Sequence, residues 1–160
     1  MKTNDDQSRI KANFSRAKLL IIDDNDDQWM LIRRAMQECL SEVTPIRAST
    51  PEQAIDLLSD WQFQEWEIPK LILLDLYLPD SQEGWGLLRQ IKTMPSPFNH
   101  IPIVMFSSSS SAEDISTAYQ LGVSSYVVKP TDFKDWLSYF QEIRSYWWET
   151  ITLPPIQYTF

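Results

Sequence analysis

The chain of 160 residues has few of the residue types that several kinds of active site require. Its three glycines, Gly84, Gly86 and Gly122, cannot form a glycine-rich loop around a nucleotide. The single histidine, His100, lies in a predicted loop, which disfavours Ser-His-Asp catalysis and most transition-metal sites. The single cysteine, Cys39, excludes an internal disulfide framework and fits a reducing cytosol.

Hydropathy and charge exclude further classes of protein. No apolar run approaches the length of a membrane span, and residues 1–16 lack the apolar stretch of a signal peptide, so a cytoplasmic location is expected. The formal net charge of −8 disfavours a nucleic-acid surface, which needs clustered Lys and Arg. The length predicts one domain over residues 17–150, with a solvated polar tail at 1–16 and a second tail at 151–160.

Five short strand candidates alternate with five amphipathic helix candidates along the chain. The strands are predicted at 18–22, 44–49, 70–74, 101–106 and 125–128. The helices are predicted at 26–40, 50–61, 83–94, 111–122 and 132–150. Short, continuously apolar strands that alternate with helices predict an α/β fold, a doubly wound five-stranded parallel sheet with helices on both faces.

Polar residues stand where four of these strands end. Asp23 and Asp24 follow the first strand, Asp75 the third, Ser107 the fourth and Lys129 the fifth. Each has an ordinary structural explanation, such as a charge at a helix start, a turn, a serine-rich loop or an exposed lysine. In a doubly wound sheet, however, the carboxyl ends of the strands share one rim, where the functional crevice lies. We therefore expect these side chains to converge.

Carboxylates that converge repel one another unless they are protonated or bind a cation. With only oxygen ligands on offer, the expected cation is Mg²⁺, which commonly binds one or two carboxylates together with a substrate phosphate. A magnesium site beside a carboxylate and a lysine suits phosphoryl transfer. Asp75 is then the predicted nucleophile, and the apolar strand before it serves to aim its carboxylate into the crevice.

Four segments together carry a family resemblance. They are LLIIDDNDD, LILLDLYLP, IPIVMFSSS and GVSSYVVKP, in this order along the chain. They resemble the receiver domain of two-component response regulators, which has a CheY-like fold, and the resemblance covers residues 17–150. It implies that Asp75 accepts a phosphoryl group from a phosphohistidine on a sensor histidine kinase. It also implies Mg²⁺ held by Asp24, Asp75 and the main-chain carbonyl of Tyr77, with Asp23 acting mainly through water.

The resemblance assigns roles to three further residues of the rim. Lys129 is expected to pair with the acidic site, and its bond to Pro130 is expected to be cis. Ser107 is the expected switch hydroxyl. Tyr126 is the expected aromatic residue that turns inward on activation. Such a protein would be no enzyme beyond the phosphorylation and dephosphorylation of its own aspartate.

The C-terminal segment EIRSYWWETITLP, residues 142–154, is similar to the end of cyanobacterial phytochrome-associated single-domain response regulators. This implies a light-sensing histidine kinase as partner and a homodimer through the fourth helix, fifth strand and fifth helix of the domain. The adjacent Trp147 and Trp148 cannot easily face the same core, which predicts an exposed aromatic surface. The alternative is that Trp148 packs beneath residues 152–160.

Two departures from the family pattern bear on function. The segment DSQEGWG after Pro79 is one residue longer than usual, which predicts a reshaped loop. Tyr77 is bulky at a position that, together with Ser109, tunes phosphoryl hydrolysis in receivers. An obstructed water predicts a long-lived phosphoaspartate.

Two other functions stay open from the sequence. One is a phosphorylation-independent adaptor or dimerisation module, which would keep the fold without the switch. The other is a phosphatase with an aspartate nucleophile, which would need an acid where Tyr77 stands.

Overall fold

The structure, a computed structural model of the chain, describes residues 3–154. Its strands are β1 (Lys18–Ile22), β2 (Thr44–Ala48), β3 (Leu71–Asp75), β4 (Ile103–Ser107) and β5 (Ser125–Val128). Its α-helices are α1 (Asn4–Phe14), α2 (Asp26–Cys39), α3 (Pro51–Trp61), α4 (Ser81–Lys92), α5 (Ala112–Gln120) and α6 (Phe133–Ile143). Two 3₁₀ helices (Glu65–Glu67, Phe98–His100) and a π-helix (Arg144–Thr150) complete the described elements.

The strands form one parallel sheet in the order β2-β1-β3-β4-β5. The predicted doubly wound five-stranded sheet is therefore confirmed. Because the chain passes from β2 across β1 to β3, the strand order reverses between β1 and β3. A crevice is expected outside the carboxyl ends of strands at such a reversal.

Helices cover the sheet on both faces, and the strands explain why. In β3, Ile72 and Leu74 join a hydrophobic cluster with α3, α4 and α5, whereas Leu71 and Leu73 join a second cluster with α2 and α6. Successive side chains of a strand point to opposite faces, so a strand between two helix layers must be apolar throughout. All residues of β3 and β4 are accordingly buried.

The prediction of a solvated tail over residues 1–16 is wrong for most of that segment, since it contains α1. Thr3 caps this helix through a reciprocal pair of hydrogen bonds with Asp6. The buried Asn13 donates to the carbonyls of Trp148 at 3.0 Å and Ile151 at 2.7 Å. Because α1 is held by polar contacts with distant residues rather than by an apolar stripe, its sequence does not reveal it.

The predicted exposed aromatic surface at Trp147 and Trp148 is also wrong. The chain leaves α6 directly into the π-helix, and the two indoles are 8% and 0% exposed. Trp148 donates through Nε1 to the Asn13 carbonyl at 3.0 Å, so α1 covers it. Leu153 belongs to the same hydrophobic cluster as Trp148. This agrees in part with the alternative that Trp148 packs beneath the C-terminal segment. Residues 155–160 of that segment lie outside the described residues.

None of the helices described between residues 3 and 154 combines the length and the apolar composition that spanning a membrane requires.

Candidate functional site

Asp75 lies at the carboxyl end of β3, at the rim where the strand order reverses. The buried residues before it hold the strand between two helix layers, and its side chain is only 6% exposed. Its Oδ1 accepts a hydrogen bond from the main-chain N–H of Tyr77 at 3.2 Å. Its Oδ2 accepts one from Lys129 Nζ at 3.0 Å. Both oxygens of the carboxylate are thus held by neighbouring parts of the rim.

Lys129 follows β5 and extends its ammonium group into the acidic site, where its side chain is 8% exposed. Besides Asp75, Nζ lies 3.5 Å from Asp23 Oδ2 and donates to Gln28 Oε1. Nζ also lies 5.0 Å from the centre of the Phe106 ring, within the range of a cation–π contact. One ammonium group is therefore shared between two buried carboxylates.

Three carboxylates meet at this point, as the strand ends predict. One oxygen atom from each of Asp23, Asp24 and Asp75 lies within 4.8 Å of the others. Asp23 is fully buried, while Asp24 is exposed toward solvent. With one lysine against three carboxylates, the site has an excess of negative charge and offers only oxygen ligands. This donor set fits a hard divalent cation such as Mg²⁺.

Burial perturbs the acid–base behaviour of both inner carboxyl groups. It raises the pKa of Asp75 to about 6, with Lys129 opposing the rise and the charge of Asp23 adding to it. Burial likewise raises the pKa of Asp23, again opposed by Lys129. The lysine therefore only partly offsets the cost of keeping two negative charges out of water.

Ser107 and Tyr126 are both held by hydrogen bonds to Ser109. Ser107 ends β4, is fully buried, and its Oγ accepts a hydrogen bond from the Ser109 N–H at 3.1 Å. The half-buried Tyr126 donates through its hydroxyl to the Ser109 carbonyl at 2.9 Å. No hydrogen bond within residues 3–154 joins Ser107 to Asp75. Both side chains are instead tied to the loop after β4.

Tyr77 stands at the outer edge of the rim, 39% exposed. Its hydroxyl donates to Asp114 Oδ2 on α5 at 3.2 Å. A metal-ligand role for its main-chain carbonyl stays a prediction.

The expectation of a cis Lys129–Pro130 bond is wrong. Across the described residues, the cis bonds are Leu78–Pro79 and Ser96–Pro97. Lys129 reaches both buried carboxylates with a trans bond, the isomer that X–Pro bonds favour by about 0.5–1 kcal/mol.

Three further residues that the sequence did not reveal as site residues belong to this rim. Asn25 caps α2 and donates its N–H to Asp23 Oδ1 at 2.9 Å. Gln28, one turn further along, accepts from Lys129. Asp114 joins the loops after β3 and β4. Only Asn25 carried a sequence signal, because asparagine before a helix is a common N-cap.

Comparison with known proteins supports the resemblance drawn from the sequence. Response regulator Rcp1 of Synechocystis sp. is 30% identical over 138 residues, which cover 85% of this chain and 92% of that protein. The crystal structure of the Mn(2+)-bound form of Rcp1 superposes with a TM-score of 0.73 at 31% identity. That of the phosphorylated cyanobacterial phytochrome response regulator RcpA gives 0.75 at 30%. Each superposition covers 87% of this chain and 99% of the other. The predicted similarity to cyanobacterial phytochrome response regulators is confirmed.

The family model for the response regulator receiver domain matches residues 19–141. This range begins in β1, ends in α6 and contains the whole acidic rim with Lys129. It spans more than half of the chain, and it agrees with the sheet order and with the similar proteins. The chain therefore belongs to the family of response regulator receiver domains.

Proposed function

We propose that this protein is a two-component response regulator that accepts a phosphoryl group on Asp75 from a sensor histidine kinase. The observation that carries the proposal is the setting of the Asp75 carboxylate. It ends the central strand, lies 3.0 Å from Lys129 Nζ, and shares its site with the carboxylates of Asp23 and Asp24. Few arrangements other than a phosphoryl-accepting site need a nucleophilic carboxylate, a cation-binding pair and an ammonium group together.

In the proposed reaction a carboxylate oxygen of Asp75 bonds to phosphorus as the bond from phosphorus to the imidazole nitrogen of phosphohistidine breaks. Asp75 must be ionised to attack, and the nearby Lys129 favours that form. Lys129, whose Nζ lies 3.0 Å from Asp75 Oδ2, would also pair with the transferred group. When bound, Mg²⁺ would neutralise charge on the phosphoryl oxygens. Asp24, Asp75 and the Tyr77 carbonyl would hold it, with Asp23 acting mainly through water.

We propose that Ser107 is the switch hydroxyl and Tyr126 the switch aromatic. Ser107 would leave the Ser109 N–H and donate to a phosphoryl oxygen. Tyr126 is tied to the carbonyl of the same Ser109, so a movement of this loop would release or redirect its ring. The charge added by phosphorylation, about −1.5 to −2, would thereby be transmitted to the face formed by α5, β5 and α6.

The similarity to Rcp1 and RcpA supports a phytochrome-type histidine kinase as the phosphoryl donor. We further propose a homodimer through the face of α5, β5 and α6. On this face Tyr119 of α5 and Val128 of β5 are 50% and 47% exposed. Exposed apolar side chains on neighbouring elements are a common feature of interaction surfaces.

Intact-mass analysis after incubation with acetyl phosphate and Mg²⁺ tests the central proposal. We expect one phosphoryl adduct on the wild type, lost when EDTA is added and absent from Asp75→Asn. Asp60→Asn is the matched control, because it removes the same charge at an exposed position of α3 and should leave the adduct unchanged.

A folded wild-type protein without an adduct would contradict this function and favour a phosphorylation-independent adaptor. The choice of kinase is tested separately, by comparing phosphoryl transfer from a phosphorylated bacterial phytochrome with transfer from an unrelated histidine kinase. Equal rates from both would contradict the phytochrome assignment.

A further inference from the structure

Asp114, one of two acidic residues in the first turn of α5, does not complete the capping box that its position suggests. Ser111 is the N-cap, and its Oγ accepts a hydrogen bond from the Asp114 N–H at 3.1 Å. In a capping box, the side chain of Asp114 would in turn accept the N–H of Ser111. That N–H donates instead to Ser109 Oγ at 3.2 Å. The Asp114 carboxylate is therefore available for contacts outside its own helix.

Side chains from two loops donate hydrogen bonds to the Asp114 carboxylate. Ser109 Oγ, in the loop after β4, donates to Asp114 Oδ2 at 2.6 Å, and the Tyr77 hydroxyl, in the loop after β3, donates to the same oxygen at 3.2 Å. Hydrogen bonds to an ionised acceptor are about twice as strong as bonds between neutral groups. One oxygen atom on α5 thus joins the loops that follow two neighbouring strands.

The two ends of Tyr77 are held at different places. Its main-chain N–H donates to Asp75 Oδ1, while its hydroxyl is held on α5 by Asp114. The ring must therefore span the rim from the end of β3 to the start of α5. Tyr77 is still 39% exposed, so part of it faces solvent, while its main-chain N–H lies 3.2 Å from Asp75 Oδ1.

We propose that Asp114 is a positioning residue that holds the Tyr77 ring across the entrance to the Asp75 site and so slows hydrolysis of the phosphoaspartate. This inference rests on the proposed function. In hydrolysis, a water oxygen bonds to phosphorus as the bond from phosphorus to the Asp75 oxygen breaks. The carboxylate is regenerated, and the hydrogens of the water leave with inorganic phosphate, which releases one to solvent near neutral pH. A ring fixed at the entrance restricts the approach of that water.

A double-mutant cycle tests the inference through the lifetime of the phosphoaspartate. The proteins are the wild type, Tyr77→Phe, Asp114→Ala and the double variant, each phosphorylated with acetyl phosphate, desalted and followed by intact mass. Tyr77→Phe keeps the ring and removes only the hydroxyl that Asp114 holds. We expect each single variant to lose phosphate about fivefold faster or more. The double variant should be no faster than either, because both single variants break the same contact between Tyr77 and Asp114.

Glu113→Ala is the matched control. Glu113 precedes Asp114 in the first turn of α5 and is exposed, so its removal changes the charge at the start of this helix without touching Tyr77. Its phosphoaspartate lifetime should equal that of the wild type. Asp114→Ala with an unchanged lifetime would overturn the inference. An equal acceleration by Asp114→Ala in the Tyr77→Phe background would also overturn it, since Asp114 would then act by another route.

A second measurement examines the contact without phosphorylation. In protein labelled with ¹³C-tyrosine, the ring signal of Tyr77 is identified by its loss in Tyr77→Phe. We expect that signal to shift in Asp114→Ala and to stay in place in Glu113→Ala. An unmoved signal in Asp114→Ala would overturn the contact itself. Failure of the wild type to form an adduct would instead refute the proposed function, so the two failures are distinguishable.

Discussion

At the scale of single residues, the site is defined by charge kept away from water. Asp75 and Asp23 are almost completely buried and share one ammonium group, that of Lys129. Burial accordingly raises the pKa of both carboxyl groups. Without a bound cation, the burial of these two carboxylates lowers the free energy of unfolding. The function of the site requires this arrangement despite the loss of stability.

This cost predicts a pH-dependent effect of Asp75→Asn. Because the pKa of Asp75 rises from 3.8 to about 6 on folding, the protonated group favours the folded protein, and this contribution is lost as pH rises through about 6. With EDTA present near pH 7, Asp75→Asn should raise the free energy of unfolding by about 1–3 kcal/mol relative to wild type. The difference should shrink toward pH 4 or so. Urea unfolding at several pH values measures it.

Asp60→Asn controls for the loss of one charge and should show no such pH dependence. Mg²⁺ should stabilise the wild type more than Asp75→Asn, since a cation that binds the folded site favours folding. An Asp75→Asn protein less stable than wild type at neutral pH would show that the pairing with Lys129 outweighs the burial of charge.

At the scale of elements, Gly84 determines how closely α4 approaches β3. Asp80 caps α4 by accepting the Glu83 N–H at 3.0 Å, so the helix begins at Ser81, two residues before its predicted start at 83. Gly84 then lies directly against the chain after β3. A Cβ atom added there would lie 1.8 Å from the Leu76 carbonyl oxygen. The conformation of the loop that carries Tyr77 therefore requires glycine at position 84, in the first turn of α4.

We expect Gly84→Ala to destabilise the protein by about 2 kcal/mol or more, because the methyl group meets backbone that must shift. Gly86→Ala is the matched control in the same helix. Nothing lies within 4 Å of its added Cβ, so alanine should stabilise α4 by about 0.5–1 kcal/mol. Thermal unfolding of both variants measures the contrast. Similar melting temperatures for the two would contradict the close packing at Gly84.

At the scale of the whole molecule, the proposed function includes the assembly of two chains. The proposed dimer face lies at one edge of the sheet, because β5 is the last strand. Trp147 and Trp148, which were predicted from the sequence to form an exposed aromatic surface, are buried within the chain. The apolar groups left exposed on the proposed face include Tyr119 and Val128. The dimer proposal therefore depends on the edge of the sheet and not on the C-terminal tryptophans.

Val128→Asn should weaken self-association about tenfold or more if β5 lies at the centre of the dimer. Met30→Asn is the matched control, because Met30 is 67% exposed on α2, away from β5. Sedimentation velocity over a range of protein concentrations, with and without acetyl phosphate, measures the change. Equal association by the two variants would place the dimer interface elsewhere.

The sheet and the position of its rim follow from the local pattern of the amino-acid sequence. Five apolar segments alternate with amphipathic ones, and this local pattern is enough to specify parallel strands between two helix layers. Because parallel strands end at one edge, the sequence predicts that Asp23, Asp75 and Lys129 lie close together although they are far apart in the chain. The geometry of the acidic site follows from that topology, since each member stands next to a strand end.

Contacts between side chains that are distant in the chain became visible only in the folded structure. The burial of Trp148 requires α1, and α1 in turn is held by Asn13, which is 135 residues away from Trp148 in the chain. The contact of Asp114 with Tyr77 likewise depends on how far a loop of β3 reaches toward α5. Periodicity describes which face of an element is apolar, but it carries no information on which polar group a distant carbonyl or carboxylate meets. Those pairings exist only once the layers have packed.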